Sequence, residues 1–134
     1  MPESPRLITV LTLDHPDRFG AIAHALTKRI RVAKVLQAAD VADAIRILGR
    51  EKLDAAVIYV RDLTTQALAN QIAEAGIRLI VTTRESPDQL SQAIPQAVAI
   101  FQTPPLDDEN LARVILGKLT ATDQATDEFV VDVK

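Results

Sequence analysis

Short apolar runs alternating with helix-period segments limit what this chain can fold into more than any other feature. Residues 7–13, 31–36, 55–60, 77–81 and 97–101 are apolar or nearly so. Runs of this length, bounded by turn residues, suit strands better than buried helices. Between them, apolar residues recur at i, i+3, i+4 and i+7, the spacing of one helix face. Strand–helix alternation with short connections predicts a doubly wound α/β fold, with helices on both faces of a parallel sheet and right-handed crossovers. Residues 1–120 read as one such domain and residues 121–134 as an acidic C-terminal tail.

The first helix is expected to carry Phe19, Ile22, Ala23, Leu26 and Ile30 inward, with Asp17 as N-cap and Gly20 inside it. The run 31–36, interrupted by Arg31 and Lys34, reads as an edge strand. Asp40 opens a second helix with Val41, Ala44, Ile45 and Leu48 inward, and Gly49 helps to end it. Strand three is apolar on both faces. Thr64 or Thr65 caps a third helix bearing Leu68, Ile72 and Ala75, stopped by Gly76. Ser86-Pro87 starts a fourth helix, which Pro95 keeps short. After the fifth strand Pro104-Pro105 forces a turn, and Asp107 or Asp108 opens a helix with Leu111, Val114, Ile115 and Leu119.

Composition narrows the function classes. A chain of 134 residues that is 48% hydrophobic can bury a full core, and Ala, Leu, Ile and Val dominate it. The absence of cysteine excludes disulfides and Cys-based zinc or redox sites. A net charge of −3 argues against nucleic-acid binding by phosphate neutralisation. No run reaches the ~20 apolar residues that span a bilayer, and no signal-peptide pattern is visible, so a cytoplasmic protein is expected. His24 falls on a polar helix face. Lys28, Arg29, Arg31 and Lys34 form a basic cluster, which a helix C-terminus favours by ~0.3–1 kcal/mol per cation; a docking patch for an acidic partner is the alternative. In the tail, Phe129, Val130, Val131 and Val133 belong either to a frayed end or to a segment docking on this domain or a partner's sheet edge.

In doubly wound sheets the working site lies beyond the carboxyl ends of the strands, beside strand one. Residues 14–17, 59–62, 82–84 and 102–105 are therefore the ones to question.

The order and spacing of these elements resemble the receiver (CheY-like) domains of two-component response regulators, over about residues 6–119. Asp14-His15 ends strand one, and Ala39-Asp40-Val41-Ala42-Asp43-Ala44 resembles the second strand-to-helix phrase. Leu53-Asp54 leads into strand three, Val81-Thr82-Thr83 closes strand four, and Pro104-Pro105-Leu106-Asp107 stands where the family has a Lys-Pro-aromatic turn. The resemblance implies a flavodoxin-like sheet of order 2-1-3-4-5. It also implies chemistry: phosphoryl transfer to an Asp ending strand three, with acids holding Mg²⁺ and a hydroxyl and a Lys binding phosphoryl oxygens.

Counted from Asp54, the phosphoacceptor position falls on Tyr59, which cannot form an acyl phosphate. His15 takes the most direct metal-ligand position, a poor partner for a hard cation. Pro104 replaces the Lys; Asp14 and Thr83 remain. Asp62 rescues phosphorylation only if strand three is shifted. Phe101 matches the family's switch aromatic, and packing into the sheet is the alternative. A stretch through Glu85-Ser86-Pro87, Leu90 and Ile94 also resembles the receiver-like domain of AmiR-type antitermination regulators, but without their coiled coil or RNA-binding segment.

The expectation is a degenerate, non-enzymatic receiver: no metal, no cofactor, a protein-interaction module in bacterial signal transduction. Its protein partner or second copy would bind through helix four, strand five and helix five, with Leu90, Phe101, Leu106, Leu111 and Val114 named for that face. Nucleic acid and membrane are not expected partners. A nucleotide- or cobalamin-like ligand site on the same topology is the rival, although Asp14 and His15 are adjacent rather than spaced and Gly20 has no Gly-rich loop.

Overall fold

The computed structural model describes residues 7–14, 20–28, 32–102 and 108–120. The strands are β1 (Ile8–Leu13), β2 (Val32–Gln37), β3 (Ala55–Tyr59), β4 (Arg78–Thr83) and β5 (Ala99–Gln102). The helices are α1 (Ala21–Thr27), α2 (Val41–Arg50), α3 (Leu63–Glu74), α4 (Pro87–Ala93) and α5 (Asp108–Thr120). All strands are parallel, in the order β2-β1-β3-β4-β5.

Strand periodicity divides the core into two layers. Leu11, Ala56, Ile58, Leu79 and Val81 meet Ala44, Leu68, Ile72, Leu90 and Ile94 from α2, α3 and the α4 region. The intervening residues Val10, Val57 and Ile80 meet Ile22, Leu26, Leu111 and Ile115 from α1 and α5. Every residue of β3 is buried, which follows from its central position with helices on both faces. β2 lies at the sheet edge with Ala33 and Lys34 exposed. Asp54 ties the lower sheet together: Thr9 N–H donates to its Oδ2 at 2.9 Å, and its own N–H donates to the Thr9 carbonyl at 3.0 Å.

Several local expectations need correction. α1 begins at Ala21, after Gly20, so Gly20 is its N-cap with φ +85° and not an interior residue. Asp17, Phe19 and Ile30 lie outside the described residues. On α2 the inward stripe is Val41, Ala44, Ile47 and Leu48, while Ile45 is 45% exposed, one 100° step off that stripe. Gly49 does not end α2, which runs on to Arg50. Asp62, not a threonine, caps α3. Ala75 is exposed because it is already the C-cap; Gly76, at φ +85°, follows it. The Gly76 N–H donates to Ala73 and that of Ile77 to Ile72, a Schellman closure. The fifth strand lies one to two residues later than its apolar run. α4 ends at Ala93, as Pro95 requires, and Asn70 Nδ2 donates to the Ala93 carbonyl at 3.1 Å.

Leu90 and Leu111 also need correction as members of an outward face. Leu90 is 6% exposed and Leu111 is fully buried. Burying such a side chain stabilises by ~1.5–3 kcal/mol, so these leucines hold α4 and α5 on the sheet and present no surface to a partner.

Two glycines test the backbone reading. A Cβ on Gly20 would stand 3.0 Å from Gln37 Nε2 at a positive φ, whereas one on Gly49 meets nothing within 4 Å. Gly20→Ala is expected to lower the unfolding free energy by more than ~1 kcal/mol. Gly49→Ala should raise it by ~0.5–1 kcal/mol. Urea titrations of the two variants check the opposite signs.

Candidate functional site

The parallel register assembles a row of side chains at the carboxyl end of the sheet. Leu13 pairs with Ile58, so Asp14 comes next abreast of Tyr59; Tyr59 pairs with Thr82, and Thr82 with Phe101. Asp14, Tyr59 and Thr82 are all buried. Thr83 has the opposite parity, and its Oγ1 accepts the Glu85 N–H at 3.0 Å. Its neighbour Thr82 is the hydroxyl beside Tyr59. His15 and Pro104 lie outside the described residues.

Next to this row, between the ends of β1 and β3 and the starts of α2 and α3, is a cleft of about 340 Å³. Asp14, Tyr59, Asp40, Arg61, Asp62 and Thr65 are among its lining residues. Its three carboxylates share one habit: each binds a backbone N–H at the start of the helix that follows its strand. Asp14 Oδ2 accepts from Ile22 in α1 at 2.9 Å, in a buried setting. Asp40 Oδ1 accepts from Asp43 in α2 at 2.8 Å. Asp62 Oδ1 accepts from Thr65 in α3 at 2.9 Å.

The bond at α3 is part of a capping box. Thr65 Oγ1 accepts the N–H groups of Arg61 at 2.9 Å and Asp62 at 3.1 Å, and its hydroxyl donates to Asp62 Oδ1. The Thr65 N–H holds the Asp62 carboxyl below its ordinary pKa, helped by the Thr65 hydroxyl and the Arg61 guanidinium, whose Nε lies 3.7 Å from Oδ2.

Among the described residues, this donor set does not fit the Mg²⁺ that a working receiver holds. A hard cation needs several carboxylate or carbonyl oxygens converging on it. Here Asp14 is turned to α1 and Asp62 to α3, and the residue between Asp14 and Thr82 in the register is Tyr59, a phenol and not a carboxylate. Among the described residues, no group of three or more His, Asp or Glu side chains is placed to hold a metal. No helix of the described residues is long and apolar enough to cross a membrane.

On the other side of the sheet end, Phe101 is half-buried and packs with the layer containing Ile80 and Leu111. Val114 is half-buried, and Leu106 lies outside the described residues. Around α4, β5 and α5 the exposed described residues include Gln89, Gln92, Gln102 and Arg113, together with Val98 just before β5. The sequence reading did not place Asp40, Arg61 and Thr65 together around one cleft. The Asp62-x-x-Thr65 spacing was the available sign for the third of the caps.

The same order of strands and helices occurs in solved receiver domains. A response regulator from Thermotoga maritima superposes with a TM-score of 0.70 at 22% identity, over 85% of this chain and 98% of that one. A CheY-like receiver domain protein from Methanospirillum hungatei JF-1 gives 0.70 at 19% identity, over 91% and 98%. The signal receiver domain of an HD domain-containing protein from Pseudomonas fluorescens Pf-5 gives 0.73 at 14% identity, over 95% and 97%. The chain has the receiver fold. No protein-family profile matches the sequence, and no curated protein matches it. At these identities the receiver likeness is one of fold, carried by topology and core pattern.

Two tests follow from the caps. Asp14→Ala strips the buried Ile22 N–H of its acceptor and is expected to cost ~1–3 kcal/mol in a denaturant titration. Asp62 has a folded pKa below its unfolded value, so its contribution is complete well above pH ~4 and is lost as pH falls through the folded pKa. The gap in urea midpoint between the natural chain and Asp62→Asn should therefore be constant near neutrality and narrow in acid. An equally wide gap at low pH would contradict this.

Proposed function

We propose that this domain is a non-phosphorylatable receiver, a protein-interaction module of signal transduction that has kept the scaffold and lost the acceptor chemistry. The observation that carries the proposal is Tyr59. It lies buried at the end of β3, between the positions of Asp14 and Thr82, where phosphoryl transfer needs a carboxylate. A phenol forms no acyl phosphate, and the neighbouring Asp14 already serves α1. Asp62 is no substitute: it sits three residues beyond Tyr59, with Oδ1 held by both the backbone and the hydroxyl of Thr65.

With no chemical trigger, the module works by presenting a surface. The face of α4, β5 and α5 is the proposed contact for a protein partner or a second copy. Its contact side chains are Gln92, Gln102, Arg113 and the half-buried Phe101 and Val114, with Leu90 and Leu111 supporting them from the core. The cleft favours a second reading, a binding site for a small polar ligand. Its volume is at the small end of ligand pockets, ~300–1,000 Å³. Three carboxylates around it oppose a phosphate-bearing ligand such as a nucleotide.

Incubation with Mg²⁺ and acetyl phosphate, followed by intact mass measurement, distinguishes a silent receiver from a working one. An unchanged mass is expected, for the natural chain and for Asp62→Asn alike. A single phosphoryl adduct on the natural chain that Asp62→Asn abolishes would make this a phosphorelay receiver with an unusual acceptor.

A further inference from the structure

α4 cannot hold its own ends. Its seven residues, Pro87–Ala93, fall well below the ~12–15 at which an isolated helix becomes even marginally stable. Its N-cap, Ser86, gives no side-chain hydrogen bond to the first turn, unlike Asp40 of α2 and Asp62 of α3. At the other end Pro95 has no N–H to offer the Ser91 carbonyl. The Ala97 N–H, which a continuing helix would direct to the Ala93 carbonyl, donates instead to Ile94 at 3.3 Å. Leu90 and Ile94 are buried against the sheet, which fixes the inner face of the helix and satisfies no polar group at either end.

Two side chains from neighbouring elements meet those ends. Asn70 reaches across from α3, and its Nδ2 donates to the Ala93 carbonyl at 3.1 Å in a partly buried setting. α3 is a firm support for it: Leu68, Ala69 and Ile72 are buried on either side of Asn70, and the helix start is closed by its capping box. Ahead of α4, Gln102 at the end of β5 donates from Nε2 to the Arg84 carbonyl at 3.3 Å. Thr83 pairs with Gln102 in the register, and its hydroxyl accepts the Glu85 N–H. The turn into α4 is thus tied to the ends of both β4 and β5.

We propose that Asn70 and Gln102 are positioning residues that clasp α4 from its two ends and hold it, with its side of the contact face, in a single arrangement. The purpose of that arrangement rests on the interaction-module reading; the clasp itself does not. α4 then opens to solvent as one local unit, and each clasp opposes the opening.

Native-state amide hydrogen exchange of the full chain, followed by NMR, tests the proposal. Asn70→Asp keeps the shape of the side chain and replaces the donor by an acceptor, and Gln102→Met keeps the length and removes the donor. The reporters are the N–H groups of Gln89 and Ile94, which bond the carbonyls of Ser86 and Leu90. Each substitution should speed their exchange roughly two- to tenfold, the effect of losing one hydrogen bond. The clasps stand at opposite ends of the helix, so the two factors should multiply in the double variant. Exchange at Val57 and Ile58 in β3 should stay as it is in the natural chain. Unchanged exchange at Ile94 in Asn70→Asp would overturn the proposal. So would an equal acceleration in α4 and β3, because Asn70 would then support the whole fold and not α4. These rates are read with no partner and no phosphodonor, so they fail or hold separately from the interaction-module reading, which the mass measurement tests.

Discussion

Helix starts in this sheet depend on carboxylates from the strand ends. Asp14, Asp40 and Asp62 follow β1, β2 and β3, and each accepts a backbone N–H from the first turn of the next helix. The first turn of any helix has N–H groups with no intrahelical partner, and an acceptor there is worth ~1 kcal/mol. At Asp14 the bond is also buried, so the donor has no water to fall back on. These bonds set where α1, α2 and α3 begin, and the two core layers are aligned by those starting points.

The same bonds decide what the strand ends can do chemically. A phosphoacceptor site needs carboxylates that converge on a metal and on a nucleophilic acid. Here they diverge, each toward a different helix, and the buried residue between Asp14 and Thr82 in the register is Tyr59. The residues still look like a polar cleft at the switch point of a doubly wound sheet, but their oxygens are directed into the scaffold.

Much of the fold was legible because strand and helix periods are encoded in buried aliphatic residues. The alternation of Val10 with Leu11, and of Val57 with Ile58, states which side chain meets which helix layer. Boundaries were less legible where a polar residue has two possible jobs. Asp17 and Asp14 both precede α1, and only the folded structure shows that Asp14 accepts the Ile22 N–H. Gly20 and Gly49 are alike in sequence, yet one has a positive φ against Gln37 and the other sits in ordinary helix. At the site, position counting puts Asp14 and Tyr59 at neighbouring strand ends, while which of the adjacent Thr82 and Thr83 pairs with Tyr59 is visible only in the register of β3 with β4. Leu90 and Leu111 were placed outward because a helix face known only from spacing has no inside or outside until the sheet beneath it is known.

The most direct test of the account is an amide NMR titration of the natural chain with Mg²⁺ and beryllofluoride, a phosphoryl mimic that needs an acceptor carboxylate and a metal. Attention falls on the amides of Ile22, Tyr59, Thr65 and Thr82. If the strand-end carboxylates are committed to helix caps, these resonances stay in place throughout. Saturable shifts at Ile22 and Tyr59 would show that Asp14 leaves α1 to bind the metal, and would contradict the central claim.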